Sequence, residues 1–353
     1  MKHTLALCGC AALFTWAPLA SAQATTEMNP FLHIPADASP EFQAYLRTLT
    51  DPALKPRFPD SGDLESWKKV QAAAETQELA ISAPIVQRYA PLVAELTLGG
   101  VPVLDVRPTG WTETKKIVVY THGGAHVLYS AKSQLYRGAI FAADTGHRVI
   151  VVDFTVAPQA KFNQMLDQVI AVMQALMKEG RASSDILIYG DSSGGGSAAA
   201  VVLKMRDMGI GMPAAAVLVS PWCDVTHTGD TWFTLAHADA NFTWEQNGMY
   251  AAAAWADSND QKNPYASPIY GDFSKGFPPT LIQGGTKEVL LSDFVRLYQA
   301  LDAAGVPVKL DIYEGMPHNF ATRLPEAPES KVARKKIADF AQKYLADAPR
   351  SGR

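Results

Sequence analysis

The segment Ile186-Leu187-Ile188-Tyr189-Gly190-Asp191-Ser192-Ser193-Gly194-Gly195 joins two different periods of the chain. Ile186 to Tyr189 is an apolar run of strand length, and Gly195 to Met208 has the length and small-residue content of a packed helix. Between them stands G-x-S-x-G. By composition that pattern arises by chance in roughly one chain in ten of this length, so its place between a strand and a helix carries the weight. A strand-to-helix elbow needs glycines because the turn is tight and its serine sits in strained backbone geometry. The turn lifts the Ser192 hydroxyl clear of the sheet edge. A glycine-rich phosphate loop is the competing reading, but neither a Lys-Ser/Thr ending nor G-x-G-x-x-G is present. Ser192 is the expected nucleophile.

Working outward, strands and helices alternate. Lys116 to Thr121, Val149 to Phe154, Ala214 to Val219, Pro279 to Gln283 and Val308 to Tyr313 read as strands. Phe162 to Glu179 is an amphipathic helix stopped by Gly180, Asp293 to Ala304 is a helix ended by Gly305, and Ser330 to Leu345 closes the chain as a helix. Ala94 to Leu98 and Val101 to Val106 form a hairpin across Gly99-Gly100. Such alternation implies a mostly parallel sheet with helices on both faces. Sites in these sheets form where loops leave the carboxyl ends of the strands.

Two stretches break the pattern. Residues 23 to 90 are polar and helical, with Phe42, Tyr45, Leu46 and Leu49, then Leu64, Trp67, Val70 and Ala74, at helical spacing. Residues 222 to 278 hold Trp222, Trp232, Trp244 and Trp255, together with Phe233, Phe242, Tyr250, Tyr265 and Phe273. Thr243 and Gln246 fit a capping box for a helix running to Trp255. So aromatic an excursion is either a cap over a site or additional core, and the cap is the reading adopted. The expected organisation is a leader (1–22), N-terminal cap helices (23–90), a core in two pieces (91–221 and 279–348) and a cap insertion (222–278).

The chain has 353 residues, 48% hydrophobic and 19% charged, which suits one large α/β domain or two small ones. A domain of that size buries a sizeable core without disulfides or metals. The net charge of −4 is mild, and no basic patch interleaved with aromatics appears, so nucleic acid is not an expected partner. Lys2, the apolar stretch from Thr4 to Leu19 and Ala20-Ser21-Ala22 read as a secretory leader cleaved before Gln23. The protein is therefore expected to be exported, to the periplasm or beyond. An uncleaved anchor is the alternative, and Leu7-Cys8-Gly9-Cys10 faintly resembles a lipoprotein box set too near the start. No later apolar run reaches the ~18 residues a membrane span needs, so stable membrane insertion is not expected. Cleavage removes Cys8 and Cys10 and leaves Cys223 alone, which excludes an intrachain disulfide.

A serine hydroxyl is a poor nucleophile until a base takes its proton. His3 lies in the leader, His33 in the N-terminal segment, His147 before a strand at the wrong end of the sheet, and His227 and His237 in the insertion. His318 follows the last strand in Glu314-Gly315-Met316-Pro317-His318-Asn319-Phe320, where a loop reaches the nucleophile's edge; the other reading is a surface-loop histidine. After the strand ending near Gln283, two acids are available. Glu288 lies at the strand exit, whereas Asp293 opens the next helix, whose positive end favours it. Glu288 is the expected acid and Asp293 the alternative, and the chain order becomes Ser, acid, His. An oxyanion needs preorganised backbone N–H donors. His122-Gly123-Gly124-Ala125, after the strand Lys116 to Thr121, fits that role together with the Ser193 N–H, against a reading as a plain glycine turn. His122 itself reads as a loop-fixing hydrogen-bonder. No clustered His/Cys/Asp set appears, so neither metal nor organic cofactor is expected.

From about Thr121 to Phe320 the chain resembles the hormone-sensitive-lipase-like family of bacterial carboxylesterases. That family carries H-G-G-G, a Y-R-x-A-P-E-like stretch, G-D-S-A-G-G, an acid loop and G-x-x-H. Here the stretches read His122-Gly123-Gly124-Ala125, Phe154-Thr155-Val156-Ala157-Pro158-Gln159 and Gly190-Asp191-Ser192-Ser193-Gly194-Gly195. The steps from His122 through Ser192 and Glu288 to His318 are 70, 96 and 30 residues. The resemblance implies an α/β-hydrolase fold: a mostly parallel eight-stranded sheet, helices on both faces and a helical cap. It also implies a serine carboxylesterase acting on small to medium-chain esters with water, and oxyanion donors at Gly124 and Ala125.

Three departures stand out. Ala125 replaces the third glycine, harmlessly if its backbone stays in an allowed region, since only the N–H is needed. Glu288 replaces the usual aspartate, so its longer side chain must fold back. Thr155 and Gln159 replace a charged pair, removing a structural ion pair but no catalytic group. Rival readings are lactone, formamide or thioester hydrolysis with the same residues, and a non-catalytic binder on a hydrolase fold, which would have lost the nucleophile or the base.

Overall fold

The hairpin sets one edge of the sheet. β1 (Leu92–Leu98) and β2 (Val101–Arg107) pair antiparallel with Leu98 opposite Val101. The linking Gly99 and Gly100 both take positive φ, 59° and 81°, as the two-residue hairpin turn with matching twist requires. β3 (Ile117–Thr121), β4 (Arg148–Val152), β5 (Ile186–Asp191), β6 (Ala215–Val219), β7 (Thr280–Lys287) and β8 (Val308–Pro317) follow. The computed structural model describes residues 32–346, and the leader with its cleavage site lies outside the described residues. The strand order is β1-β2-β4-β3-β5-β6-β7-β8, with the β1/β2 and β2/β4 pairs antiparallel and the others parallel. This is the mostly parallel eight-stranded sheet of the α/β-hydrolase fold.

The helices are α1 (Pro40–Leu46), α2 (Leu64–Tyr89), α3 (Leu135–Thr145), α4 (Phe162–Lys178), α5 (Ser193–Asp207), α6 (Thr231–Thr234), α7 (Met249–Trp255), α8 (Leu291–Ala303), α9 (Phe320–Arg323) and α10 (Pro328–Leu345). Alternate strand residues face opposite ways. Val118, Tyr120, Val149, Val151, Leu187 and Val217 pack with Ala139, Phe141, Ile337 and Ala341, so α3 and α10 cover one face. Val119, Ile150, Ile188, Ala216 and Leu218 pack with residues of α4, α5 and α8 on the other. α3 was not foreseen from the sequence. Eight of its eleven residues are buried, Gly138 lies in its interior, and Gln134 makes no side-chain cap bond, so the usual start signal of a helix is missing.

The aromatic insertion joins that second cluster. Trp222, Trp232 and Trp255 are buried, and Trp222 meets Trp232 and Phe242 edge-on. The Thr243 hydroxyl accepts the Gln246 N–H as a capping box predicts, and a π-wound turn (Trp244–Gly248) leads into α7. The reciprocal bond is replaced: Gln246 Nε2 reaches the Ala53 carbonyl at 3.4 Å. Phe58 N–H to Gln246 O (2.8 Å) and Lys55 Nζ to Ala240 O (2.6 Å) tie the same two segments. α2 docks through polar groups, with Glu75 accepting from Ser130 (2.5 Å) and Ser133 (2.7 Å), and Glu78 from Tyr136 (2.9 Å). Among the described residues no helix is long and apolar enough to cross a membrane. Cys223 is a buried free thiol, and burial together with the nearby Asp293 pushes its ionisation well up.

Candidate active site

Ser192 sits between β5 and α5 with φ 53° and ψ −129°. Positive φ is an outlier for a residue with a side chain, and it persists only where the surroundings over-determine it. They do so here with backbone. Ser192 N–H donates to Val219 O at 2.8 Å, and its carbonyl accepts from Gly195 N–H (3.0 Å) and Trp222 N–H (2.9 Å). A Cβ on Gly194 would collide with the carbonyls of Thr121 and His122, and one on Gly196 with that of Trp222. The first turn of α5 therefore lies directly on the chain leaving β3 and β6, which is why the segment is glycine-rich.

The loops after β7 and β8 bring Glu288 to His318. His318 Nδ1–H donates to Glu288 Oε2 at 2.6 Å. Glu288 is 0% exposed, and its other oxygen accepts from Ser220 Oγ (2.9 Å) and Gly285 N–H (2.6 Å). The longer glutamate side chain thus folds back against its own loop. Burial alone would lower the basicity of His318; Glu288, with Asp239 and Asp191, overcomes it and raises the imidazole above its ordinary value. The alternative acid is elsewhere. Asp293 Oδ2 accepts the N–H groups of Cys223 (2.8 Å) and Asp224 (2.9 Å), and burial and the charge of Asp224 push its carboxyl well above the usual range.

Asp191, beside Ser192, is where four elements meet. It accepts from Tyr120 Oη of β3 (2.5 Å), Gly123 N–H (3.2 Å) and Asn319 Nδ2 (2.8 Å), and lies 3.6 Å from Arg137 Nε of α3. Asn319 Nδ2 stands 3.4 Å from His318 Nε2, and the Asn319 N–H donates to Ser220 Oγ at 3.2 Å. The residues flanking Ser192 and His318, Asp191 and Asn319, are thus bonded to each other.

The H-G-G-A loop lies against the elbow: a Cβ on Gly123 would stand 2.9 Å from Ser192 Cβ. Because Gly123 N–H is committed to Asp191, it is not available to an oxyanion. Gly124 and Ala125 N–H have no hydrogen-bond partner among the described residues, and Ser193 opens α5, where N–H groups lack helical acceptors. Ala125 departs from expectation in one respect: its φ is 54°, in the left-handed region, and His126 follows at 65°. His122 stacks on Phe154 and bonds Gly123 O at 2.8 Å. His126 stacks on Trp255 at 3.8 Å, and burial pushes it down to about 3, so it is neutral. Thr155 and Gln159, which replace the charged pair of the resembled family, find amide partners: Thr155 N–H donates to Gln168 Oε1 (2.8 Å), and Gln159 Nε2 to Gln71 Oε1 (2.9 Å).

Residues 118–322 match the sequence profile of the alpha/beta hydrolase fold family. The chain belongs to that family. An Acinetobacter venetianus esterase is 33% identical to this α/β hydrolase over 226 residues, covering 64% of this chain and 74% of the relative. A Streptomyces hygroscopicus acetyl-hydrolase is 31% identical, covering 67% of this chain and 78% of its own. The crystal structure of an esterase, E25, superposes with a TM-score of 0.81 at 27% identity, over 88% of this chain and 95% of that one. An esterase of the bacterial hormone-sensitive lipase family gives 0.71 at 29% identity, over 84% and 95%. This α/β hydrolase is accordingly a carboxylic ester hydrolase of the hormone-sensitive-lipase type. Its sequence did not single out Asp191, Ser220, Asn319 or Asp239. Two of these adjoin the nucleophile and the base, and that adjacency was the only available signal.

Proposed function

We propose that this chain is a serine esterase for small to medium-chain carboxylic esters, working through Ser192, His318 and Glu288 and a covalent acyl-enzyme. The observation that carries the reading is the 2.6 Å contact between His318 Nδ1 and the buried Glu288. It fixes the tautomer with Nε2 free to accept a proton, and it supports the positive charge the ring gains. His318 takes the Ser192 proton as the oxygen attacks the ester carbonyl. The N–H groups of Gly124, Ala125 and Ser193 receive the oxyanion. Collapse expels the alcohol, protonated by His318, and water activated by the same imidazole releases the acid.

The aromatic insertion and the N-terminal helices form, in this reading, a roof over an apolar pocket of limited depth. Such a pocket gains about 0.8 kcal/mol for each methylene it buries, until the chain outgrows the space. Activity on p-nitrophenyl esters should rise from acetate to butyrate or hexanoate and then collapse. Emulsified triglyceride should be a poor substrate, without a jump in rate at the oil–water interface. A chain-length series on the purified protein tests both points, and a maximum at palmitate would mean an open lipase groove instead.

A further inference from the structure

The loop that carries Glu288 is held by the insertion. Val289 N–H donates to Asp239 Oδ2 at 2.9 Å, and Val289 O accepts from Thr231 Oγ1 at 2.7 Å. Thr231 Oγ1 also accepts the Ser292 N–H at 2.9 Å, and the Ser292 hydroxyl donates to Asp230. Both backbone polar groups of the residue next to the acid are thus bonded to residues 230–242. Asp239 is 1% exposed, and its second oxygen accepts from Asn241 N–H (2.8 Å) and Phe242 N–H (3.3 Å). A buried carboxylate without a paired cation destabilises a fold unless its hydrogen bonds are complete. Asp239 forms no ion pair with lysine or arginine among the described residues.

We propose that Asp239 is a positioning residue of the catalytic machinery: it fixes Glu288 by holding Val289, and it sets a second negative charge against the imidazole. The roof and the catalytic acid then form one mechanical unit. This rests on the triad reading given above. The charged groups facing His318 are Glu288 from the acid loop, Asp239 from the insertion and Asp191 from the elbow. Those facing Asp239 are His318 and Glu288, with Lys55 from the N-terminal segment. Burial pushes the Asp239 carboxyl up, while the His318 charge and the N–H groups of Asn241 and Val289 pull it back. Removing this carboxylate therefore takes away one of the charges that raise His318. The neutral base then survives to lower pH.

The test compares Asp239→Asn and Thr231→Val with the wild type on p-nitrophenyl butyrate. Asparagine offers one acceptor where aspartate offers two, so D239N loses both a charge and part of the clamp; T231V loses clamp alone. D239N should lower kcat by up to about 10²-fold with KM changed little, the penalty of a displaced catalytic group. It should also move the acid limb of the kcat/KM profile to lower pH. T231V should lower kcat and leave that limb in place. An unmoved limb in D239N, or a raised KM with kcat intact, would overturn the proposal. If D239N does not fold, T231V decides: an undiminished kcat rejects the clamp. Labelling of the wild type by a fluorophosphonate is measured first. A wild type that neither turns over ester nor takes the label rejects the triad itself, whereas an active, labelled wild type with unaffected variants rejects only the role of Asp239.

Discussion

Replacing Ser192 by alanine should reduce turnover by roughly 10⁶-fold, and replacing His318 by alanine should do about the same, because nucleophile and base act as one unit. The folded state should survive the first change. Ser192 is held through its backbone N–H and carbonyl, and its hydroxyl makes no hydrogen bond among the described residues, so alanine leaves no buried partner unsatisfied. A fluorophosphonate probe should label the wild type on the peptide spanning Gly190 to Gly196 and leave the variant unlabelled. Retention of more than a few per cent of activity would remove Ser192 from the mechanism.

Glu288→Gln should lower turnover on the order of 10⁴-fold, through a misaligned tautomer rather than a lost nucleophile. The amide would place an NH₂ where the carboxylate now accepts either the His318 ring N–H or the Ser220 and Gly285 donors. Asp293→Asn should change activity little. Asp293 bonds the Cys223 and Asp224 N–H groups and not His318, so an amide of the same shape leaves the contact between Glu288 and His318 in place. Its carbonyl can still accept the Cys223 and Asp224 N–H groups. Steady-state kinetics on the two variants checks the ranking, and the reverse order would name Asp293 as the acid.

The elbow, the alternation of strands and helices and the β1–β2 hairpin were legible because each is written locally. A period of two or of 3.6 residues, or a glycine pair, fixes them within a few positions. α3 was not legible because it lacks a start signal, Gln134 making no side-chain cap bond, and carries Gly138 in its interior. β7 and β8 run beyond their expected ends, to Lys287 and Pro317. Gly284 and Gly285 carry a turn signal yet pair with Ile312 and Tyr313, whereas Glu314 and Gly315 fall in an irregularity of the ladder before Lys287 pairs with Pro317. The contact between His318 and Glu288 joins two residues that could be singled out from strand exits, and Ser192 could be singled out from its motif between a strand and a helix. Asp191, Ser220, Asn319 and Asp239 could not, since each works by meeting chain segments tens of residues away. Ala125 shows the reverse error. Its missing glycine looked innocuous, yet the loop demands a left-handed backbone there.

That loop has a consequence for how the molecule responds to heat. Ala125, His126 and Tyr129 all have positive φ, at 54°, 65° and 75°, each disfavoured by about 1–2 kcal/mol for a residue with a Cβ. The groups that hold them there come largely from outside the sheet. Trp222 and Trp255 stack on His126, Ala157 N–H bonds the His126 carbonyl, and Gln71 of α2 bonds the carbonyl of Val127. A temperature that only loosens the insertion or α2 would let the loop relax toward ordinary backbone angles, moving the Gly124 and Ala125 N–H groups proposed as oxyanion donors while the eight strands stay paired. Inactivation is then expected to precede unfolding on heating, and residual activity measured beside the far-UV circular dichroism of the same samples checks it, coincident midpoints counting against it.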